Sequence, residues 1–191
     1  VANLMVKDQG QLTVDVDGVC PVCYKVDMEQ YGHSSGPPLF TWGALPCMNV
    51  VVHNRASSRG CLAHVWNSTL DGIELYDKAH AAVDKMLVAA GKPAAADIYL
   101  FAGQAFIANS TYQTTNKRKE DVDRFLARKY ESHYVWNGLH HAMGQVLYWP
   151  AKNVVYFVSD AERSSLQDTM VEYGSLGFLK KAMLDVSVQA L

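Results

Sequence analysis

The sequence predicts an α+β fold, and three observations carry that reading. Two pairs of short apolar runs are each separated by a turn-like stretch, so each pair reads as a β-hairpin. One long segment repeats apolar residues at steps of three and four between helix start and stop signals. Strands and helices follow one another without regular βαβ alternation, which separates the chain from the doubly wound α/β class.

The elements follow in order. Residues 11–16 (Gln-Leu-Thr-Val-Asp-Val) alternate apolar and polar, the pattern of a strand with one wet face. Residues 28–39 hold Gly32, Ser34, Ser35, Gly36, Pro37 and Pro38, a loop by composition. Met48–His53 and Gly60–Trp66 are apolar runs around the turn-like Asn54-Arg55-Ala56-Ser57-Ser58, the first hairpin. A helix is expected over about 72–90, with Asp71 and Glu74 as a capping box and Gly91 then Pro93 as the stop. Its buried stripe is expected to be Ile73, Tyr76, His80, Val83, Leu87 and Ala90, with His80 as a packing histidine.

Ile98–Ala102 reads as a buried strand closed by Gly103. A second helix is expected over about 119–130, with Val122, Phe125 and Leu126 inward. Glu120, Asp121 and Asp123 would sit near its positive end, and Lys117-Arg118-Lys119 would be a solvated lead-in. Residues 145–149 and 153–158 around Pro150-Ala151-Lys152 form the second hairpin, with core-type alternation of aromatic and aliphatic residues. The tail from Glu162 is expected to be helical, in two pieces broken near Gly174.

At 191 residues and 49% hydrophobic, the chain is expected to form a single domain over 1–191 with a core that needs no staples. Its 17 basic and 19 acidic residues leave a formal charge of −2, no footprint for a nucleic acid or an anionic membrane. No apolar run approaches the roughly 18 residues of a membrane span, so no membrane insertion is expected. Val1-Ala2-Asn3-Leu4 shows no signal-peptide pattern, and a start at Val is compatible with loss of an upstream piece. Four cysteines (Cys20, Cys23, Cys47, Cys61) are too few for a disulfide scaffold and are read as thiols.

Cys47 opens the first hairpin and His64 lies on its second strand. If His53 pairs with Gly60, Asn49 faces His64, and Cys47 and His64 become diagonal neighbours on one face. A slip of one residue would put them on opposite faces. In the first register a thiol and an imidazole meet, the pairing a cysteine nucleophile uses: the ring takes the thiol proton and sulfur attacks an acyl carbon. Cys61, one residue out of phase with Leu62 and His64, should point the other way into the core.

Thr41-Trp-Gly-Ala-Leu-Pro-Cys47 followed by Arg59-Gly-Cys-Leu-Ala-His64 resembles the core signature of the bacterial chemoreceptor glutamine deamidases, the CheD family. The resemblance continues in order through Ile98–Gly103, Ala105-Phe106, the helix at 119–130 and Asn137-Gly138 to Gly144, covering about residues 41–158. The wider group includes the catalytic domains of cytotoxic necrotizing factor and Burkholderia lethal factor. The resemblance implies a mixed β-sandwich core flanked by helices; residues 1–40 are then an N-terminal extension and 159–191 a helical C-terminal tail added to the family-like core. It implies deamidation of a glutamine on a protein substrate to glutamate and ammonia, with no metal or organic cofactor. Cys47 would be the nucleophile, His64 its base, and Thr41 the group that orients the imidazole. Backbone N–H groups from Leu45 to Met48 would stabilise the oxyanion. The site of action would be a cytoplasm, the cell's own or, for a toxin-like effector, a host's.

The sequence departs from the family at Pro46, Ala102 and His140-His141. Two other readings stay open: another Cys–His acyl-transfer enzyme (peptidase or transglutaminase), and a catalytically silent protein-binding domain. A papain-like enzyme would carry its histidine far downstream of the cysteine, unlike His64. Cys20-Pro-Val-Cys23 with His33 makes an incomplete zinc set and does not open a helix as a redox pair should. His140-His141 reads as loop surface, His133 as a helix–strand junction, and Ser57-Ser58 and Ser164-Ser165 lack a nucleophile-elbow context.

Overall fold

The first hairpin forms as its sequence suggests, β5 (Met48–Asn54) and β6 (Arg59–Val65) around a four-residue turn, because β-branched residues fill both faces of a strand buried on both sides. A computed structural model of the chain describes residues 4–8, 23–41, 47–65, 72–102, 110–159, 183–184 and 188–191. The other elements are β1 (Met5–Asp8), β2 (Cys23–Lys25), β3 (Gln30–Ser34), β4 (Leu39–Thr41), α1 (Gly72–Ala89), β7 (Ala96–Ala102), α2 (Ser110–Tyr130), β8 (Val135–Trp149), β9 (Val154–Ser159), β10 (Met183–Leu184) and β11 (Val188–Ala190). A 3-10 turn, Pro150–Lys152, joins β8 to β9.

Among the described residues the fold is mixed α+β, with two helices and two mixed sheets. One sheet runs β8-β7-β5-β6-β3-β11 and the other β10-β2-β4-β8-β9-β1, so the long β8 belongs to both. Its first half runs parallel to β7 and its second half antiparallel to β9 and β4. The ladder with β7 skips Gly138, and the ladder with β9 is irregular between Ala142 and Val146. Such bulges bend a strand and increase its twist, which lets β8 cross from one sheet to the other.

Alternation then assigns two cores. Val50, Val52, Cys61, Ala63 and Val65 face the helices, where Ala79, Val83, Met86 and Leu126 cover them. Val51 and Leu62 face the second sheet and meet Leu39, Val146, Tyr148 and Val155. Burying each of these Val and Leu side chains stabilises by roughly 1.5–3 kcal/mol. Asn54 ties the hairpin to α1: its side-chain N–H donates to the Ala90 carbonyl at 2.8 Å. The helix ends where Gly91 takes φ 92° and Lys92 N–H returns to the Leu87 carbonyl.

Several expectations need correction. Gln30–Ser34 is a strand, not loop, because β6 and β11 supply ladder partners on both sides and override its turn-like composition. The buried stripe of α1 is Leu75, Ala79, Ala82, Val83, Met86 and Leu87, continued by Ala90 just past its end, and Ile73 is 75% exposed. The helix is turned so that its small alanines lie against the sheet. α2 starts at Ser110, so Lys117–Lys119 and Glu120–Asp123 lie within it and not at its positive end; Lys119 is only 2% exposed.

Asn137–Gly144 and His140-His141 lie in β8, not in a turn or loop, because the bulged strand carries glycines and histidines that composition assigns to a turn. The helical tail fails at Met183–Leu184 and Val188–Ala190, which add strands beside β2 and β3. The rest of that tail, the strand over 11–16, Asp71 of the capping box, and Gly103 with Ala105-Phe106 lie outside the described residues.

Candidate active site

Sheet register is what builds the site. Asn49 pairs with His64 and His53 with Gly60, the register that keeps Asn49, Val51 and His64 on the face turned toward the second sheet. Cys47 immediately precedes β5, two residues before Asn49, and is 1% exposed. β4 delivers Thr41 from that second sheet, where it pairs with Val146. Thr41 Oγ1 and His64 Nδ1 lie 2.8 Å apart, both residues buried.

His64 is fixed on three sides. Asn49 lies across from it on β5 and Gln30 on β3, and its backbone carbonyl accepts from the Glu29 N–H at 2.8 Å. Its Nε2 is buried and has no hydrogen-bond partner among the described residues. Burial pushes the imidazole down to about 4, against the pull of the Asp27 and Glu29 carboxylates. The ring is therefore neutral at pH 7. For Nε2 to accept a proton, Nδ1 must carry the ring hydrogen and donate it to Thr41 Oγ1. A hydroxyl partner sets ring orientation without adding a negative charge, so it does not pull the imidazole up as a carboxylate would.

Cys47 and Cys61 are both thiols rather than half-cystines. Cys61 faces the helix-side core, as its phase along the strand predicts. Its thiol donates to the Met86 carbonyl at 3.3 Å, and burial pushes its pKa up to about 12. Met48 pairs with Val65 and is buried in that same core, so its side chain faces away from His64 and only its backbone is available to the site. Leu45 lies outside the described residues, as does Cys20.

The other singled-out residues fall elsewhere. Cys23 opens β2, and His33 lies on β3 with Nδ1 3.4 Å from Arg59. His80 is half-buried against Phe125 and Tyr130 and 3.2 Å from Asp84. His133 is exposed beside Ser132 in the turn after α2. Ser58 donates to Asn153 at 2.8 Å, a turn-to-turn tie. His140 packs among the rings of Tyr99, Phe101 and Phe157, in the strand rather than on a loop. Among the described residues no group of three or more His, Cys, Asp or Glu side chains is disposed to hold a metal ion. No described helix is long and apolar enough to cross a membrane.

Two buried polar residues on the inter-sheet face carry more than sequence pattern assigned them. His53 meets the Tyr148 hydroxyl at 2.6 Å in the interior; burial keeps that phenol protonated, so it donates to Nδ1. Asn49 is fully buried, and neither its amide nitrogen nor its amide oxygen has a hydrogen-bond partner among the described residues. An asparagine inside a β-branched run was the available signal for the second. No protein-family model matches the chain, and no curated protein matches it.

Proposed function

We propose that the chain is a cysteine-dependent protein-glutamine deamidase, of the chemistry used by the chemoreceptor deamidases it resembles. Cys47 is the nucleophile, His64 the base, and Thr41 the positioning residue. The observation that carries the reading is the buried 2.8 Å contact between Thr41 Oγ1 and His64 Nδ1, which leaves Nε2 without a partner among the described residues. A packing histidine gains from satisfying both nitrogens; a base needs one of them open toward its nucleophile. Two mixed sheets with helices packed against one of them are compatible with the sandwich core flanked by helices that the resemblance implies.

In this reading His64 Nε2 takes the Cys47 thiol proton as sulfur attacks the glutamine carboxamide carbon, and the carbonyl electrons move onto oxygen. When the C–N bond breaks, His64 returns the proton to nitrogen and ammonia leaves. Water, deprotonated by His64, attacks the thioester; the C–S bond breaks, sulfur recovers its proton, and glutamate remains. These steps call on no metal or organic cofactor. The neutral imidazole suits a base that acts during attack rather than a resting thiolate–imidazolium pair. The substrate is a protein with a reactive glutamine, met in the cell's own cytoplasm or, for an effector, a host's.

Burial favours the other reading, a catalytically silent protein-binding domain: Thr41 and His64 are 0% and 3% exposed. Both are tested by incubating wild type and Cys47→Ala with bacterial and eukaryotic lysates and mapping glutamine-to-glutamate conversions by mass spectrometry. Conversion at particular glutamines, with ammonia release, in the wild-type arm alone supports the deamidase. New peptide termini or isopeptide cross-links would mark a peptidase or transglutaminase instead. Identical arms with no modification would leave the binding domain.

A further inference from the structure

Asn49 is the polar residue that the fold leaves least explained. It is the second residue of β5, between Met48 and the Val50–Val52 run, fully buried, with both ends of its carboxamide unpartnered among the described residues. Burying an amide without a hydrogen bond costs roughly 1–3 kcal/mol by mutational measures. An apolar side chain of similar volume would remove that cost, so packing does not account for the residue.

Its position does. Asn49 pairs directly with His64 on β6 and with Phe101 on β7, on the inter-sheet face. Directly opposed residues in an antiparallel ladder hold their Cβ atoms about 4.5–5.5 Å apart. Asn49 is also the second residue after Cys47, which immediately precedes β5. Chain connectivity and register thus set the Asn49 amide two residues from Cys47 and directly opposite the imidazole. The amide nitrogen is a donor already stripped of water, the condition under which one hydrogen bond to a developing charge counts most.

The geometry points to Asn49 as a further catalytic residue, a side-chain oxyanion donor that binds the carbonyl oxygen of an acyl group undergoing attack by Cys47. The inference rests on the Cys47–His64 reading above. As sulfur bonds to the carbonyl carbon, the C=O electron pair moves onto oxygen and Nδ2–H donates to it. When the leaving group departs with the electron pair of its own bond to carbon, the pair on oxygen returns, the C=O bond re-forms and the donor is released. The site then supplies a donor beyond the backbone N–H groups that the resemblance implies.

The test compares two reactions at the same thiol. Acetylation of Cys47 by p-nitrophenyl acetate passes through an oxyanion and expels p-nitrophenolate. Alkylation by iodoacetamide displaces iodide at a saturated carbon and forms none. Both rates are followed at Cys47 by peptide mass spectrometry in wild type, Asn49→Leu, Asn49→Ala and His64→Ala, with a thermal melt of each. The expected result is acetylation slowed by about 10²- to 10³-fold in both Asn49 variants. Alkylation should keep its wild-type rate in both, and the Leu variant should melt no lower than wild type.

Acetylation at the wild-type rate overturns the inference. So does a parallel fall of acetylation and alkylation, which would make Asn49 a group that only places the thiol. Failure of both Asn49 variants to fold overturns it too, because the amide would then be a structural partner. Failure of the underlying dyad looks different: in that case His64→Ala leaves alkylation of Cys47 unchanged.

Discussion

Thr41 and His64 join the two sheets: the hydroxyl of the first, on β4, lies 2.8 Å from Nδ1 of the second, on β6. The orientation of the imidazole is therefore a tertiary property. Neither the hairpin that carries His64 nor the strand that carries Thr41 sets it alone. A change that loosens the packing of one sheet on the other should reach the base before it reaches the backbone of either strand.

Thr41→Val keeps the shape and removes the hydroxyl. Acetylation of Cys47 by p-nitrophenyl acetate should slow at least about tenfold, part of the roughly 10²–10⁴ that a positioned base contributes. Stability should fall by about 1–3 kcal/mol in urea melts, since a buried ring nitrogen loses its partner. Thr41→Ser should restore both. A rate that Thr41→Val leaves untouched would remove Thr41 from the site.

The pH dependence follows from the burial of His64. Its folded pKa, about 4, lies below the ordinary value of 6.5, so the unfolded chain binds the proton more tightly. The stability this group contributes is fully present above about pH 6.5 and is lost as pH falls through about 4. That span corresponds to roughly 3 kcal/mol. His64→Gln should flatten this part of the stability curve relative to wild type. The acid limb of Cys47 acetylation should likewise fall near pH 4, and a limb near 6.5 would mean a solvated imidazole.

Gly60→Ala should be among the most damaging changes far from the dyad. A Cβ there would overlap both the Tyr148 hydroxyl and the Val52 backbone carbonyl, and the carbonyl cannot swing away. Overpacking at such a point costs about 3 kcal/mol. The shift would also strain the Tyr148–His53 hydrogen bond at 2.6 Å. Equilibrium melts of Gly60→Ala against wild type give the value, and a loss below about 1 kcal/mol would contradict the close approach.

Arg55 and Asp97 form a two-pronged pair at 2.7 and 2.9 Å, with the carboxylate almost fully covered. Arg55→Met strands that charge and should cost about 3 kcal/mol at neutral pH. Asp97→Asn in the same background should recover part of the loss. Additive single effects in a double-mutant cycle would argue that the two side chains do not act on each other.

Where local pattern and tertiary context agree, the sequence was readable. Met48–His53 and Gly60–Trp66 are β-branched and apolar around a polar turn, and the hairpin follows; its register was left open by the sequence and is set by the fold. The Thr41–His64 contact was legible through the resemblance, since nothing local relates two residues 23 positions apart. Gln30–Ser34 was not legible, because glycine and serine signal a turn and the ladders that make it a strand come from distant segments. The first half of β8 was hidden for a similar reason: its bulge at Gly138 breaks the period-two pattern. Asn49 was visible as a residue facing His64, but its burial without a partner is a fact of packing on both sides of the sheet.

The most direct measurement is site-resolved iodoacetamide labelling of the native chain across pH, in wild type and His64→Ala. Cys61, buried and held to about 12, serves as the internal unreactive thiol. The account predicts that Cys47 labels well ahead of Cys61 and loses that lead when His64 is replaced. Equal labelling of Cys47 and Cys61, or a Cys47 rate indifferent to His64, would contradict the dyad and the deamidase built on it.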